Sequence, residues 1–92
     1  MKLFYTVAAV DDLDRLRAFI AVSNPIAGRR IVNRLRDAAP QLTRHPLIGV
    51  ATEQSPDIRD LIVDSYLIRS QVRSEDDRIT ILCIWHGKED LR

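Results

Sequence analysis

Apolar positions change their spacing twice along the chain, and the changes divide it into a short strand, two helices and a run of three strands. Lys2 to Tyr5 is a brief apolar run of strand character. Val10, Leu13, Leu16 and Ile20 then recur at three- and four-residue intervals with Phe19 beside them, which is one face of an amphipathic helix. Thr6 is placed to cap it, because its hydroxyl can accept from a free backbone N–H of the first turn. Asp11, Asp12 and Asp14 fall early in this helix, where carboxylates suit the positive end of the dipole, and Arg15 and Arg17 lie on its solvated side. Ser23-Asn24-Pro25 is the clearest break: Asn24 is a good cap, and Pro25 in the first turn loses only an N–H that has no partner there. Ile31, Leu35, Ala38 and Leu42 form the apolar face of the second helix, widened by Val32. Pro40 should end or kink that helix near Ala38 or Ala39. So short a link makes the two helices an antiparallel hairpin.

His45-Pro46-Leu47-Ile48-Gly49 closes the helical part, and Val50 to Asp57 is the longest irregular stretch. Three strands follow, Ile58 to Val63, Tyr66 to Val72 and Arg78 to Trp85, the last two joined by the polar turn Ser74-Glu75-Asp76-Asp77. In the second of these, Tyr66, Ile68, Ser70 and Val72 share one face and Leu67, Arg69, Gln71 and Arg73 the other. The last strand is apolar on both sides, with Ile79, Ile81, Cys83 and Trp85 opposite Leu82 and Ile84. Such a strand belongs in the middle of a sheet with something over each face. The helix hairpin covers one face, and nothing left in the chain is large enough for the other, so a partner is expected there. The pattern predicts an α+β fold, β-α-α-β-β-β, with the hairpin packed on a small, mainly antiparallel sheet.

Ninety-two residues with 46% apolar content suit one domain over residues 1–92. Cys83 is the single cysteine, which excludes a disulfide framework and a cysteine-based metal site, and its apolar setting makes it a small core residue. Two histidines, His45 in a loop and His86 at a strand end, lack the further ligands that a metal needs, and no cofactor is expected. No run approaches the roughly 18 apolar residues of a membrane span, and the N-terminus lacks a signal-peptide core, so the expected compartment is the cytoplasm with no membrane contact. A net charge of +1 excludes the broad cationic surface of a general nucleic-acid binder. Twelve of the 14 basic residues are nonetheless arginine, the better residue for forked contacts to carboxylate or phosphate.

Several blocks, taken in order, resemble the ParE branch of the RelE/ParE toxin superfamily. They are Asn24-Pro25, Arg29-Arg30-Ile31-Val32 and Arg34-Leu35 in the second helix, and His45-Pro46-Leu47-Ile48-Gly49 before the sheet. Tyr66-Leu67-Ile68-Arg69 and Ile84-Trp85-His86-Gly87-Lys88-Glu89-Asp90 follow at the last two strands. Two stretches depart from the family pattern: Ser70 and Gln71 stand where an aromatic and a basic residue are common, and Pro40 interrupts a usually continuous helix. The resemblance implies the toxin of a type II toxin–antitoxin module, neutralised by a cognate, ParD-like antitoxin. Operator DNA would be reached only through that antitoxin. ParE-like toxins are associated with poisoning DNA gyrase, whereas RelE-like relatives cut mRNA in the ribosome.

His86 is the candidate for a catalytic role, near the region where the RNA-cutting relatives carry a basic or aromatic residue that assists cleavage. That chemistry needs a base, an acid and cations for the phosphorane charge, and Arg59, Arg69, Arg73 and Glu53 are the residues to recruit. Against it, Leu67 stands where the nuclease relatives tend to have a catalytic arginine, and the loop lysines of the RelE subgroup are absent. The reading is therefore a binding inhibitor of gyrase with no chemical step of its own; a RelE-like ribosome-dependent mRNA endonuclease is the alternative. The expected antitoxin or target surface is Arg59, Leu67, Arg69, Arg73, Trp85 and His86, with Arg69 and Arg73 on a strand at or near the sheet edge and Trp85 offering a ring edge.

Overall fold

The computed structural model describes residues 1–86, so Gly87, Lys88, Glu89 and Asp90 of the closing motif lie outside the described residues. β1 (Lys2–Tyr5) leads into α1 (Val7–Ala21). Thr6 is extended, and its Oγ1 accepts the Ala9 N–H at 3.0 Å while donating to the Leu82 carbonyl at 2.8 Å. The cap that starts the helix thus also ties it to the far end of the chain. Asn24 Oδ1 accepts the Ala27 N–H at 3.1 Å and Pro25 opens α2 (Pro25–Ala38). Pro40 ends α2 as expected, and a single further turn, α3 (Gln41–Arg44), carries Leu42 into the core.

The buried stripe of α1 is Ala9, Leu13 and Leu16, with Ile20 partly covered; Val10 and Phe19 are exposed. The expected stripe is therefore turned by one residue at its start, because the small Ala9 lets the first turn approach the sheet. None of the three aspartates lies in the first turn, which corrects the dipole reading of Asp11, Asp12 and Asp14. Asp12 instead ties α1 to the last strand, its Oδ2 accepting the backbone N–H of Ile84 at 2.9 Å.

The sheet adds β2 (Val50–Ala51), β3 (Ile58–Val63), β4 (Tyr66–Arg73) and β5 (Arg78–His86), in the order β1-β5-β4-β3-β2. Only β1–β5 is parallel; the other pairings are antiparallel. Two expectations change. The stretch read as irregular contains β2, which pairs with Asp60 and Arg59. β4 is not near an edge but lies between β5 and β3.

A bulge alters the faces of β5. Arg69 stands opposite Cys83 while the next residue, Ser70, stands opposite Ile81, so Leu82 is the extra residue. Past it the alternation inverts, and Ile79, Ile81 and Ile84 all face the helices while Thr80, Cys83 and Trp85 face away. Strict two-residue alternation had grouped Cys83 and Trp85 with Ile79 and Ile81. The strand that reads as apolar on both sides is in this way one core strand bent through a bulge, held by Thr6 at the cap of α1 and by Asp12 within it.

Ile68, Ile79, Ile81 and Ile84 meet Leu13, Leu16, Leu35 and Leu42 in the core. Ser70 sits on the same side, 1% exposed, and its Oγ has no hydrogen-bond partner. A buried hydroxyl left without a partner costs about 1–3 kcal/mol, and alanine fits the same space. Ser70→Ala is expected to stabilise the fold by about 1 kcal/mol, read as a higher urea midpoint at unchanged slope. A lower midpoint would mean that the hydroxyl is hydrogen-bonded in solution.

Candidate partner-binding face

The side of the sheet away from the helices is built from alternate residues of four strands. Cross-strand register places Phe4, Ile62, Leu67, Arg69, Arg73, Thr80, Cys83 and Trp85 on it. Among the described residues, no helix covers this face. Phe4 is 39% exposed and Ile62 62%, whereas Leu67, opposite both Ile62 and Trp85, is only 9% exposed. Its surface is thus apolar in patches, with charge at defined points.

The central charge is a closed pair. Arg69 Nε meets Asp60 Oδ1 at 2.9 Å and Nη2 meets Oδ2 at 3.0 Å, a two-pronged contact between side chains 17% and 18% exposed. The hydrogen bond to Asp60 is the main cause that raises the Arg69 pKa. Cys83 stands opposite Arg69, and burial raises its thiol pKa despite the opposing effect of that arginine. A half-buried thiol held protonated is a poor nucleophile. Arg73 lies further along β4, half exposed and only 4.0 Å from Asp76. At the β1 edge, Arg78 lies over the Phe4 ring, 4.2 Å from its centre.

Two of the expected surface residues are elsewhere. Arg59 pairs with Ser70 and so points to the helix side, donating from Nε to the Gly49 carbonyl at 3.0 Å and from Nη1 to the Pro56 carbonyl at 3.1 Å. It ties both ends of the 49–56 segment, which contains β2, to β3, and Gly49 is needed there because a Cβ would lie 2.7 Å from the Asp60 carbonyl oxygen. His86 pairs with Tyr66 on that same side, ring edge to face at 5.1 Å. Hence Leu67, Arg69, Arg73 and Trp85 come together, and Arg59 and His86 do not join them. Glu53 borders a shallow pocket of about 330 Å³ next to Asp60 and Arg69.

Asp60 is the residue that sequence reasoning missed. A signal was available: β3 and β4 are joined through Asp64 and Ser65, with Val63 opposite Tyr66, and Asp60 and Arg69 are equidistant from that turn. Asp64 takes a left-handed φ of 56°, which aspartate tolerates better than most residues.

Residues 3–91 match the family described as the ParE toxin of the type II toxin–antitoxin system parDE. The chain belongs to this family. Its structure is similar to that of the chromosomal ParDE system from P. aeruginosa, with a TM-score of 0.82 at 22% identity over 96% of this chain and 97% of that one. It is also similar to the RelBE2 complex from Mycobacterium tuberculosis (TM-score 0.72, 22% identity, 92% and 95% covered). The isolated E. coli RelE toxin is a further likeness (TM-score 0.72, 14% identity, 96% and 85% covered). No curated protein sequence matches the chain. Within this ParE-family fold, the α+β arrangement of a helix hairpin on a mixed sheet is as the sequence pattern predicts.

Proposed function

We propose that this ParE-family chain is neutralised by a cognate, ParD-like antitoxin laid on the helix-free sheet face, and that it inhibits DNA gyrase by protein–protein binding. Operator DNA would be engaged only through that antitoxin. The observation that carries this reading is the face itself: exposed Phe4 and Ile62 and half-buried Trp85 lie around a neutralised Arg69–Asp60 centre, with Arg73 at the rim. Exposed apolar anchors around a charge that is already paired suit a protein partner. The solved RelBE2 structure from M. tuberculosis, described as a toxin–antitoxin complex, lends the same support.

The geometry favours binding over RNA cleavage. The residues that would serve cleavage are divided between two faces: Arg59 and His86 on the helix side, Arg69 and Arg73 on the other. Arg69 is already committed to Asp60, and the resemblance puts Leu67 where the nuclease relatives tend to carry an arginine. Among the described residues, the groups that proton transfer and phosphorane stabilisation need do not converge, which supports the binding reading.

Induced expression of the chain alone should give filamentous cells and DNA-damage signalling while bulk translation continues at first. Co-expression with the product of the neighbouring gene should suppress this and yield a stable complex. Rapid loss of translation, with mRNA cut at ribosomal A sites, would instead establish the endonuclease.

A further inference from the structure

On the opposite side of the molecule, Arg17 of α1 and Arg29, Asn33 and Arg36 of α2 line one groove of about 260 Å³, floored by Val32. Positions 29, 33 and 36 follow the four- and three-residue steps of a single helix face. Arg17 joins them because Gly28 allows the helices to meet closely; a Cβ there would lie 3.0 Å from the Arg17 carbonyl oxygen. Six other arginines are engaged: Arg15, Arg34, Arg69 and Arg73 face carboxylates, Arg59 backbone carbonyls and Arg78 a ring, while Arg30 and Arg44 do not line the groove. Among the described residues, no carboxylate lies within ion-pair distance of Arg17, Arg29 or Arg36. Asp14, which lines a neighbouring pocket with Arg36, and Asp37, next to Arg36 in sequence, form no ion pair with these groups.

The chemistry of this groove is unlike that of the sheet face. Its lining presents three guanidinium groups and an amide with no exposed apolar side chain, since Val32 is buried; exposed Ile26 lies about one turn before Arg29, outside the groove. Interfaces with protein have an apolar centre, whereas contacts to nucleic-acid backbone are polar, wet and rich in arginine. Arg29 and Arg36 are seven residues apart, about 10 Å along the helix at about 1.5 Å per residue. One strand of a duplex rises about 3.4 Å per phosphate, so the row spans about three phosphates. A rigid helix face and a regular phosphate ladder are both ordered before they meet, which limits the entropy lost on contact.

We propose that the α1–α2 groove is a contact site for the phosphate backbone of duplex DNA, independent of base sequence. The +1 net charge of the chain conceals it, because acidic residues elsewhere offset a local cluster. The site goes beyond the toxin reading and needs no antitoxin and no gyrase, so a failed growth phenotype would leave it untouched.

The test is fluorescence anisotropy of a short labelled duplex of arbitrary sequence, titrated with the chain isolated from any partner over a range of salt. Three neutralised phosphates predict a slope of log affinity against log salt of about −2.7, or about a 40-fold loss for a fourfold rise in salt. The Arg17→Ala/Arg29→Ala/Arg36→Ala chain should bind about tenfold or more weakly at low salt. Arg44→Ala should change nothing, and Arg29→Lys should keep the slope. All four arginines are exposed, and circular dichroism checks that each variant is folded. The proposal is overturned by absent binding at low salt, or by a triple variant that binds like the parent. It is equally overturned if single-stranded RNA binds more tightly through these arginines, or if polyglutamate competes as well as unlabelled duplex at matched charge.

Discussion

Arg69→Met is expected to lower the stability of the chain by about 2 kcal/mol, read as a lower urea midpoint. Asp60 is only 18% exposed, and in the variant its carboxylate keeps its charge without the fork that neutralises it. Breaking a fully buried pair in this way costs about 3–5 kcal/mol. No helix among the described residues covers the pair, so water reaches and screens it, and the lower figure applies. Asp60→Leu should cost a similar amount for the mirrored reason. The double variant Asp60→Leu/Arg69→Met should recover most of the loss, because two apolar residues fill the site without any charge to desolvate. Single effects that simply add in the double variant would show that the pair is not coupled. A practical consequence follows for binding studies. Charge reversal at Arg69 disturbs the fold as well as the surface, whereas Arg73 at the rim probes the surface alone.

Asp12→Ala should cost about 2 kcal/mol, in the range for hydrogen bonds to a charged group. The variant leaves the Ile84 N–H, now served at 2.9 Å, without its acceptor beside the bulge at Leu82. It also removes the acid that Arg15 approaches at 3.5 Å. Asn retains an acceptor oxygen, so Asp12→Asn should cost less than half as much. Hydrogen exchange offers a local readout: the Ile84 amide should exchange faster in Asp12→Ala, while amides of β3 change little. A uniform rise in exchange across the sheet would place the role of Asp12 in general stability and not at the bulge.

Much of the local architecture was legible because its signals act over a few residues. The Thr6 and Asn24 caps each bond three positions ahead, Pro25 opens α2, and Pro40 closes it. The alternation in β4 holds throughout, and Leu67, Arg69, Arg73 and Trp85 do share one face. Val10 misled because periodicity locates a stripe only to within a residue; the close approach of Ala9 to the sheet decides which residue is covered. β2 escaped notice because two residues are too few to show any alternation.

The sequence by itself determined where the two long helices and the three longer strands of the second half lie, which strand is greasiest, and the family to which the chain belongs. The tertiary structure alone decided which side chains share a surface. Thr6 bonds to a residue 76 positions away and Asp12 to one 72 positions away, and these contacts exist only once β1 and α1 close onto β5. The bulge they hold reverses the faces of the strand, sending Ile84 inward and Cys83 and Trp85 outward. The same closure commits Arg69 to Asp60, turns Arg59 and His86 away, and gathers Arg17, Arg29 and Arg36 into one groove. The reason is physical: caps, turns and periodicity are short-range preferences of the backbone, while a shared face is fixed by register and packing between segments distant along the chain.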